Sequence, residues 1–203
     1  MVKIMEKVVE LFPTPLYSNN IGTDYKLCDT DLYQHSTTHG NISVDQQYLL
    51  KIESLKEIVE NEIETYIRKY LRLKTNIHLK HQCSWLLVHK KGDYSPQHYH
   101  RNSWLSGIYY YKVNDNSGNI EFIKTPPYGW TDSLMNPCSE VEELNNITAN
   151  SYIITPQSGD LFLFPSHLVH KSFTNESDCD RVCLSFNYTL HGSWGTPTQF
   201  ISI

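Results

Sequence analysis

Ser95-Pro96-Gln97-His98-Tyr99-His100-Arg101-Asn102-Ser103-Trp104-Leu105-Ser106-Gly107-Ile108-Tyr109-Tyr110-Tyr111-Lys112 sets two histidines immediately ahead of a strand-like run. In extended chain successive side chains point to opposite faces. His98 and His100 are therefore expected to project to the same side, close enough for both imidazoles to bind one ion. A third histidine, His170, closes a second block, Asp160-Leu161-Phe162-Leu163-Phe164-Pro165-Ser166-His167-Leu168-Val169-His170, and Arg181 follows in a further strand-like run. Of the ten histidines, His35, His39, His78, His81, His89 and His191 read as ordinary surface or satisfied core residues.

Around this stretch the chain has a β texture from about residue 75 onward. Short runs at 83–89, 97–100, 106–113, 119–123, 151–155, 160–164, 168–174 and 181–190 are separated by turn chemistry such as Lys91-Gly92-Asp93 and Asn114-Asp115-Asn116-Ser117-Gly118. Eight antiparallel strands of this length suit a double-sheet jelly roll at about 83–190. Upstream, apolar residues from Val44 to Leu71 recur at three and four. This predicts one amphipathic helix over about 43–74, with Ser43 and Gln46 as a capping box and Arg68, Lys69, Arg72 and Lys74 near its C-terminal end. Its apolar stripe is expected to buttress the back of one sheet. Leu11-Phe12-Pro13-Thr14-Pro15-Leu16-Tyr17, with two prolines, reads as an edge segment, and 19–41 as a loop or short helix. The long insert at about 124–150 is read as a substrate lid.

The chain has 203 residues, with 39% hydrophobic and 19% charged, which fits a single globular domain spanning 1–203. A net charge of −5 gives no general attraction to phosphate backbones or anionic lipid, so neither a long nucleic acid nor a membrane is expected as partner. Five scattered cysteines without a C-x-x-C pair argue against a disulfide framework. With no apolar leader at the N-terminus, a cytoplasmic protein is expected.

Several of these features together resemble a known family. They are Leu11-Phe12-Pro13-Thr14-Pro15, Trp85, His98-x-His100, Leu105-Ser106-Gly107-Ile108-Tyr109-Tyr110, Gly159-Asp160-Leu161-Phe162-Leu163-Phe164-Pro165-Ser166 with His170, and Arg181 with Ser185-Phe186-Asn187. In order and spacing they are similar to the 2-oxoglutarate/Fe(II) oxygenases common in marine bacteria and their phages. The resemblance implies a double-stranded β-helix, a cupin-like jelly roll with Fe(II) at its mouth. It also implies 2-oxoglutarate and O2 as cosubstrates, and hydroxylation of a small-molecule or peptide substrate with release of succinate and CO2.

On that resemblance His98 and His170 are the first and distal metal ligands. The general superfamily pattern has a carboxylate where this chain has His100, so the expected set is three histidines, with Asp160 or Glu121 as alternative carboxylate donors. Arg181 is the expected clamp for the cosubstrate's distal carboxylate. Because Cys183 stands where superfamily members often have a serine, Ser185 is the expected hydroxyl partner. Tyr110 matches a cosubstrate-binding tyrosine of prolyl hydroxylases. Two other readings stand beside this one: a three-histidine cupin-type dioxygenase without 2-oxoglutarate, and a non-catalytic metal-stabilised jelly roll. Trp104, Tyr128, Trp130 and Trp194 are candidates for an aromatic mouth, and the segments near Pro13 and at 199–203 for a homodimer contact.

Overall fold

The computed structural model describes residues 13–35, 39–124, 142–143, 145 and 149–202. The expected lid at 124–150, with Tyr128 and Trp130, lies almost wholly outside the described residues.

Alternation of side chains organises the molecule. The strands are β1 (Tyr17–Asn20), β2 (Leu32–His35), β3 (Gly40–Ser43), β4 (Ile77–His89), β5 (Ser95–His98), β6 (Leu105–Lys112), β7 (Ile120–Ile123), β8 (Ser151–Ile154), β9 (Asp160–Pro165), β10 (Val169–Ser172), β11 (Arg181–Trp194) and β12 (Ile201–Ser202). Pairing is antiparallel throughout the ladders. The larger sheet runs β1-β9-β6-β11-β4-β3-β2, with β12 attached to β11, and the smaller runs β5-β10-β7-β8. The eight strand-like runs of the sequence correspond to β4 through β11, and the two facing sheets form a jelly roll.

The central strands of the larger sheet are covered on both faces, which explains their nearly unbroken apolar sequence. Alternate residues serve different layers. Leu86, Val88, Tyr109, Leu161, Leu163, Leu184 and Phe186 pack with Leu55, Val59 and Ile63 of the helix α1 (Glu53–Thr65). Their strand neighbours Leu87, Tyr110, Phe162, Phe164 and Cys183 turn inward and meet Ile120 and Phe122 of the smaller sheet. The inward layer therefore carries the residues available to a site between the sheets.

Upstream of the jelly roll the structure departs from expectation. The helical region starts with a 3-10 turn (Tyr48–Lys51), continues as α1 and ends in a π-helical turn (Tyr66–Tyr70). The expected capping box is absent because Ser43 belongs to β3. Its Oγ donates to the Asp45 carbonyl and accepts the Leu86 N–H, while the Gln46 amide donates to the Ser43 carbonyl. Of the segment read as a loop or short helix, 21–31 is loop, whereas its later part pairs with the residues that follow as the β2–β3 hairpin at the edge of the larger sheet. The proline-containing N-terminal segment leads into β1, which occupies the opposite edge.

Candidate active site

His98 ends β5 and His170 lies in β10, and the two residues are directly paired in the ladder between these strands. His100 lies just past the end of β5, so the expected two-histidine strand is shorter than the sequence implied. A hydrogen bond from the His100 N–H to the Ser166 carbonyl (2.9 Å) holds it beside the strand. Ser166 is anchored in turn by its hydroxyl to Ser106, whose own hydroxyl donates to Asn187. The ring centroids of the three histidines lie 4.3 to 5.2 Å apart. One ring nitrogen from each lies within 4.8 Å of the other two.

The proton positions suit ligation. His98 Nδ1 lies 2.7 Å from the Pro96 carbonyl and His170 Nδ1 lies 2.9 Å from the Leu168 carbonyl. A carbonyl only accepts, so in each ring Nδ1 carries the proton and Nε2 keeps its lone pair, the arrangement of a metal-ligating imidazole. Burial, reinforced by the neighbouring imidazoles, pushes His100 down to about 4 and His170 down to about 3; burial also lowers His98. All three rings are therefore neutral donors near neutral pH. Phe122 and Phe164 wall the His170 ring. Such a set of imidazole nitrogens fits Fe(II) among the first-row metals.

Neither alternative carboxylate belongs to the cluster. Glu121 is paired with Lys171 at 2.7 Å, and Asp160 caps the preceding turn by accepting the Gln157 N–H while also accepting from Asn20. Among the described residues the metal-capable group consists of the three histidines.

From the histidines a cavity runs between the sheets to Arg181. Arg181, Cys183 and Ser185 line it from alternate positions of β11, and Tyr110 lines it from β6. The three expected cosubstrate residues, Arg181, Ser185 and Tyr110, thus line the same space as the histidines. Burial pushes the Cys183 thiol up to about 12 and raises the Tyr110 hydroxyl, so both remain protonated. Of the expected aromatic mouth, Trp104 packs instead against the helix-side core. Among the described tryptophans it is Trp85 that reaches the cavity, its ring 5.9 Å from that of His100.

Arg181 is buried, with 1% of its surface exposed. Its Nη1 donates to the Ser117 and Gly118 carbonyls, and its Nη2 donates to His89 Nδ1 (2.5 Å), the Ser172 hydroxyl (3.0 Å) and the Phe173 carbonyl. The expected two-pronged clamp is therefore not free: both terminal nitrogens are engaged by the protein. Nε remains buried with no partner among the described residues. Nor does a described carboxylate form an ion pair with this guanidinium. A buried cation of this kind calls for an anion, so the distal end of the cavity fits a carboxylate. His89, read from sequence as an ordinary core histidine, is a direct partner of Arg181, and Ser95 and Ser172 join it at the cavity wall. The sequence signal for His89 was its place two residues after Leu87 and four after Trp85 on the inward face of β4.

Solved structures share this architecture. An oxidoreductase of the 2OG-Fe(II) oxygenase family from Burkholderia pseudomallei superposes with a TM-score of 0.55 at 10% identity, over 79% of this chain and 73% of that one. The epimerase SnoN, in complex with Fe3+, alpha ketoglutarate and nogalamycin RO, gives 0.54 at 12% identity, over 81% and 70%. A Pseudomonas putida prolyl-4-hydroxylase gives 0.50 at 13% identity, over 78% and 77%. No curated protein sequence matches the chain. At these identities the structures establish the fold, and the sequence decides the family. A family profile described as "Putative 2OG-Fe(II) oxygenase" matches residues 83–187, from mid-β4 to the inward face of β11. The chain therefore belongs to the 2-oxoglutarate/Fe(II) oxygenase family, oxidoreductases that depend on Fe(II), 2-oxoglutarate and O2.

Proposed function

We propose that this protein hydroxylates a C–H bond of a small-molecule or peptide substrate, coupling the reaction to conversion of 2-oxoglutarate and O2 into succinate and CO2. The observation that carries the reading is the joining of two features by one cavity: three neutral imidazoles within 4.8 Å of one another at one end, and at the other a buried guanidinium that has no carboxylate partner, and a free Nε–H, among the described residues.

His98, His100 and His170 would hold the metal. Bound Fe(II) and 2-oxoglutarate would supply the oxidising power, one atom of O2 entering succinate and the other the substrate. The chain's own groups do the rest. Backbone carbonyls of Pro96 and Leu168 fix the His98 and His170 tautomers, and the Ser166 carbonyl holds the backbone of His100 in place. Arg181 attracts the carboxylate remote from the metal, while Tyr110 and Ser185 border the same space. Phe122, Phe164, Ile120 and Leu87 keep the interior dry, strengthening every charge interaction inside it. A three-histidine dioxygenase working without 2-oxoglutarate has no use for a buried cation at the far end of the cavity.

The test is an anaerobic titration of metal-free protein with Fe(II) and then 2-oxoglutarate, followed by its visible charge-transfer absorption, together with a succinate assay in air. A band in the wild type, weakened in Arg181→Ala, and succinate formed from 2-oxoglutarate are expected. Stoichiometric Fe(II) uptake without a band overturns the cosubstrate reading.

A further inference from the structure

Proton bookkeeping around Arg181 identifies groups that the sequence did not. An arginine only donates, so the Arg181 Nη2–H bond to His89 Nδ1 leaves that nitrogen without a proton. The proton of the neutral His89 ring is then on Nε2, which lies 3.2 Å from the Ser95 hydroxyl oxygen and donates to it. Ser95 Oγ is thereby an acceptor from the wall side, and its own O–H has no acceptor among the described residues.

Ser172 reaches the same state by another route. Its Oγ accepts the Ser95 N–H (2.9 Å) and Arg181 Nη2–H (3.0 Å). Those two bonds occupy both lone pairs of the oxygen, so its remaining capacity is to donate. Ser95 and Ser172 are paired in the β5–β10 ladder, and both line the cavity alongside Arg181. Three donors without acceptors among the described residues, Arg181 Nε–H and the two hydroxyls, thus border one end of one cavity.

We propose that the Ser95 and Ser172 hydroxyls, together with Arg181 Nε–H, seat the distal carboxylate of the 2-oxo acid cosubstrate. The proposal rests on the cosubstrate reading above and assigns the hydroxyl donors to β5 and β10 rather than to Ser185 of β11. A carboxylate has acceptor capacity for all three donors, and donors already fixed by the wall lose little freedom on binding. The selected ligand class is a dicarboxylate 2-oxo acid. A monocarboxylate such as 2-oxobutyrate, with the same 2-oxo acid head and no second carboxylate, leaves these donors unanswered.

The experiment compares dissociation constants of 2-oxoglutarate and 2-oxobutyrate for anaerobic Fe(II)-loaded protein, by calorimetry, in wild type, Ser95→Ala, Ser172→Ala and Ser185→Ala. Each of the first two substitutions is expected to weaken 2-oxoglutarate roughly tenfold or more, the range for a hydrogen bond to a charged group. Affinity for 2-oxobutyrate should stay within about twofold, a split that a general loss of structure does not produce. Ser95→Thr and Ser172→Thr, which keep the hydroxyl, should restore discrimination between the acids. Equal weakening of both acids, or a selective loss only in Ser185→Ala, overturns the assignment. Wild-type protein that takes up Fe(II) but binds neither acid overturns the cosubstrate reading, and this inference with it.

Discussion

His98 and His170 face one another across the β5–β10 ladder with ring centroids 4.3 Å apart, each Nδ1 tied to the backbone carbonyl two residues before it, Pro96 and Leu168. Two distant parts of the chain are thus locked by sheet register before any ion arrives, while His100 is held from outside the strand by Ser166.

The ladder makes His98 and His170 the indispensable pair. His98→Ala and His170→Ala are each expected to abolish stoichiometric Fe(II) binding, measured as iron retained after anaerobic desalting. His100→Ala removes one of three donors and should leave weaker, measurable uptake. One full equivalent retained in either His98→Ala or His170→Ala moves the metal elsewhere.

Glu121 separates a three-histidine site from one completed by a carboxylate. It is occupied by Lys171 in a partly exposed ion pair, and such pairs contribute about 0–1 kcal/mol. Glu121→Gln should therefore leave Fe(II) affinity unchanged in the same desalting assay and shift stability by no more than about 1 kcal/mol. A large loss of iron in this variant shows that the carboxylate moves to the metal.

Most of the jelly roll was legible because burial of both sheet faces writes strands as apolar runs, and strict alternation carries Arg181, Cys183 and Ser185 to one side of β11. The β2–β3 hairpin left no such mark. Leu32 and Tyr33 of its outer strand are exposed, so there is no alternating apolar pattern to read. The helix was drawn too long because Tyr48 and Leu49 are fully buried from a 3-10 turn, which imitates the spacing of an α-helix. In the site, His98, His100, His170 and Arg181 were visible as a pattern of residue types. The surroundings of Arg181 were less so: alternation along β4 marks His89 as inward-facing, but β4 and β10 bring His89 and Ser172 to Arg181, and β5 sets Ser95 against them, through pairings that no local pattern encodes.

The metal-free protein should be acid-sensitive for a specific reason. In the unfolded chain an imidazole titrates near 6.5, whereas folding holds His98, His100 and His170 below that value, to about 4 for His100 and about 3 for His170. His81, half-buried beside Tyr188, is lowered as well by its partial burial. Between these limits the unfolded chain binds more protons than the folded one, so unfolding free energy falls as pH falls. Stability is fully present above about pH 6.5 and is lost progressively toward the folded-state values. Urea midpoints of the apoprotein should drop from about pH 7 to about pH 5, with a shallower drop in His170→Phe. A flat profile contradicts the burial of neutral imidazoles.

Gly118 makes room for the guanidinium, and its replacement tests how tightly Arg181 must be held. Its φ of +88° lies in the left-handed region, and a Cβ there would stand 2.5 Å from the Phe173 carbonyl oxygen and 2.8 Å from Arg181 Nη1. Backbone strain alone does not define this site, because Gly92 has a φ of +92° with open space where its Cβ would be. Gly92→Ala therefore measures the cost of the backbone conformation, about 1–2 kcal/mol in a urea titration. Gly118→Ala carries the same strain and must also displace carbonyls or the guanidinium. It should lose more stability than Gly92→Ala and weaken 2-oxoglutarate binding while leaving Fe(II) uptake intact, since the histidines lie at the other end of the cavity. Equal losses in the two variants, with unchanged 2-oxoglutarate affinity in both, indicate that Arg181 can shift without consequence and that its tight seat is not needed for the cosubstrate.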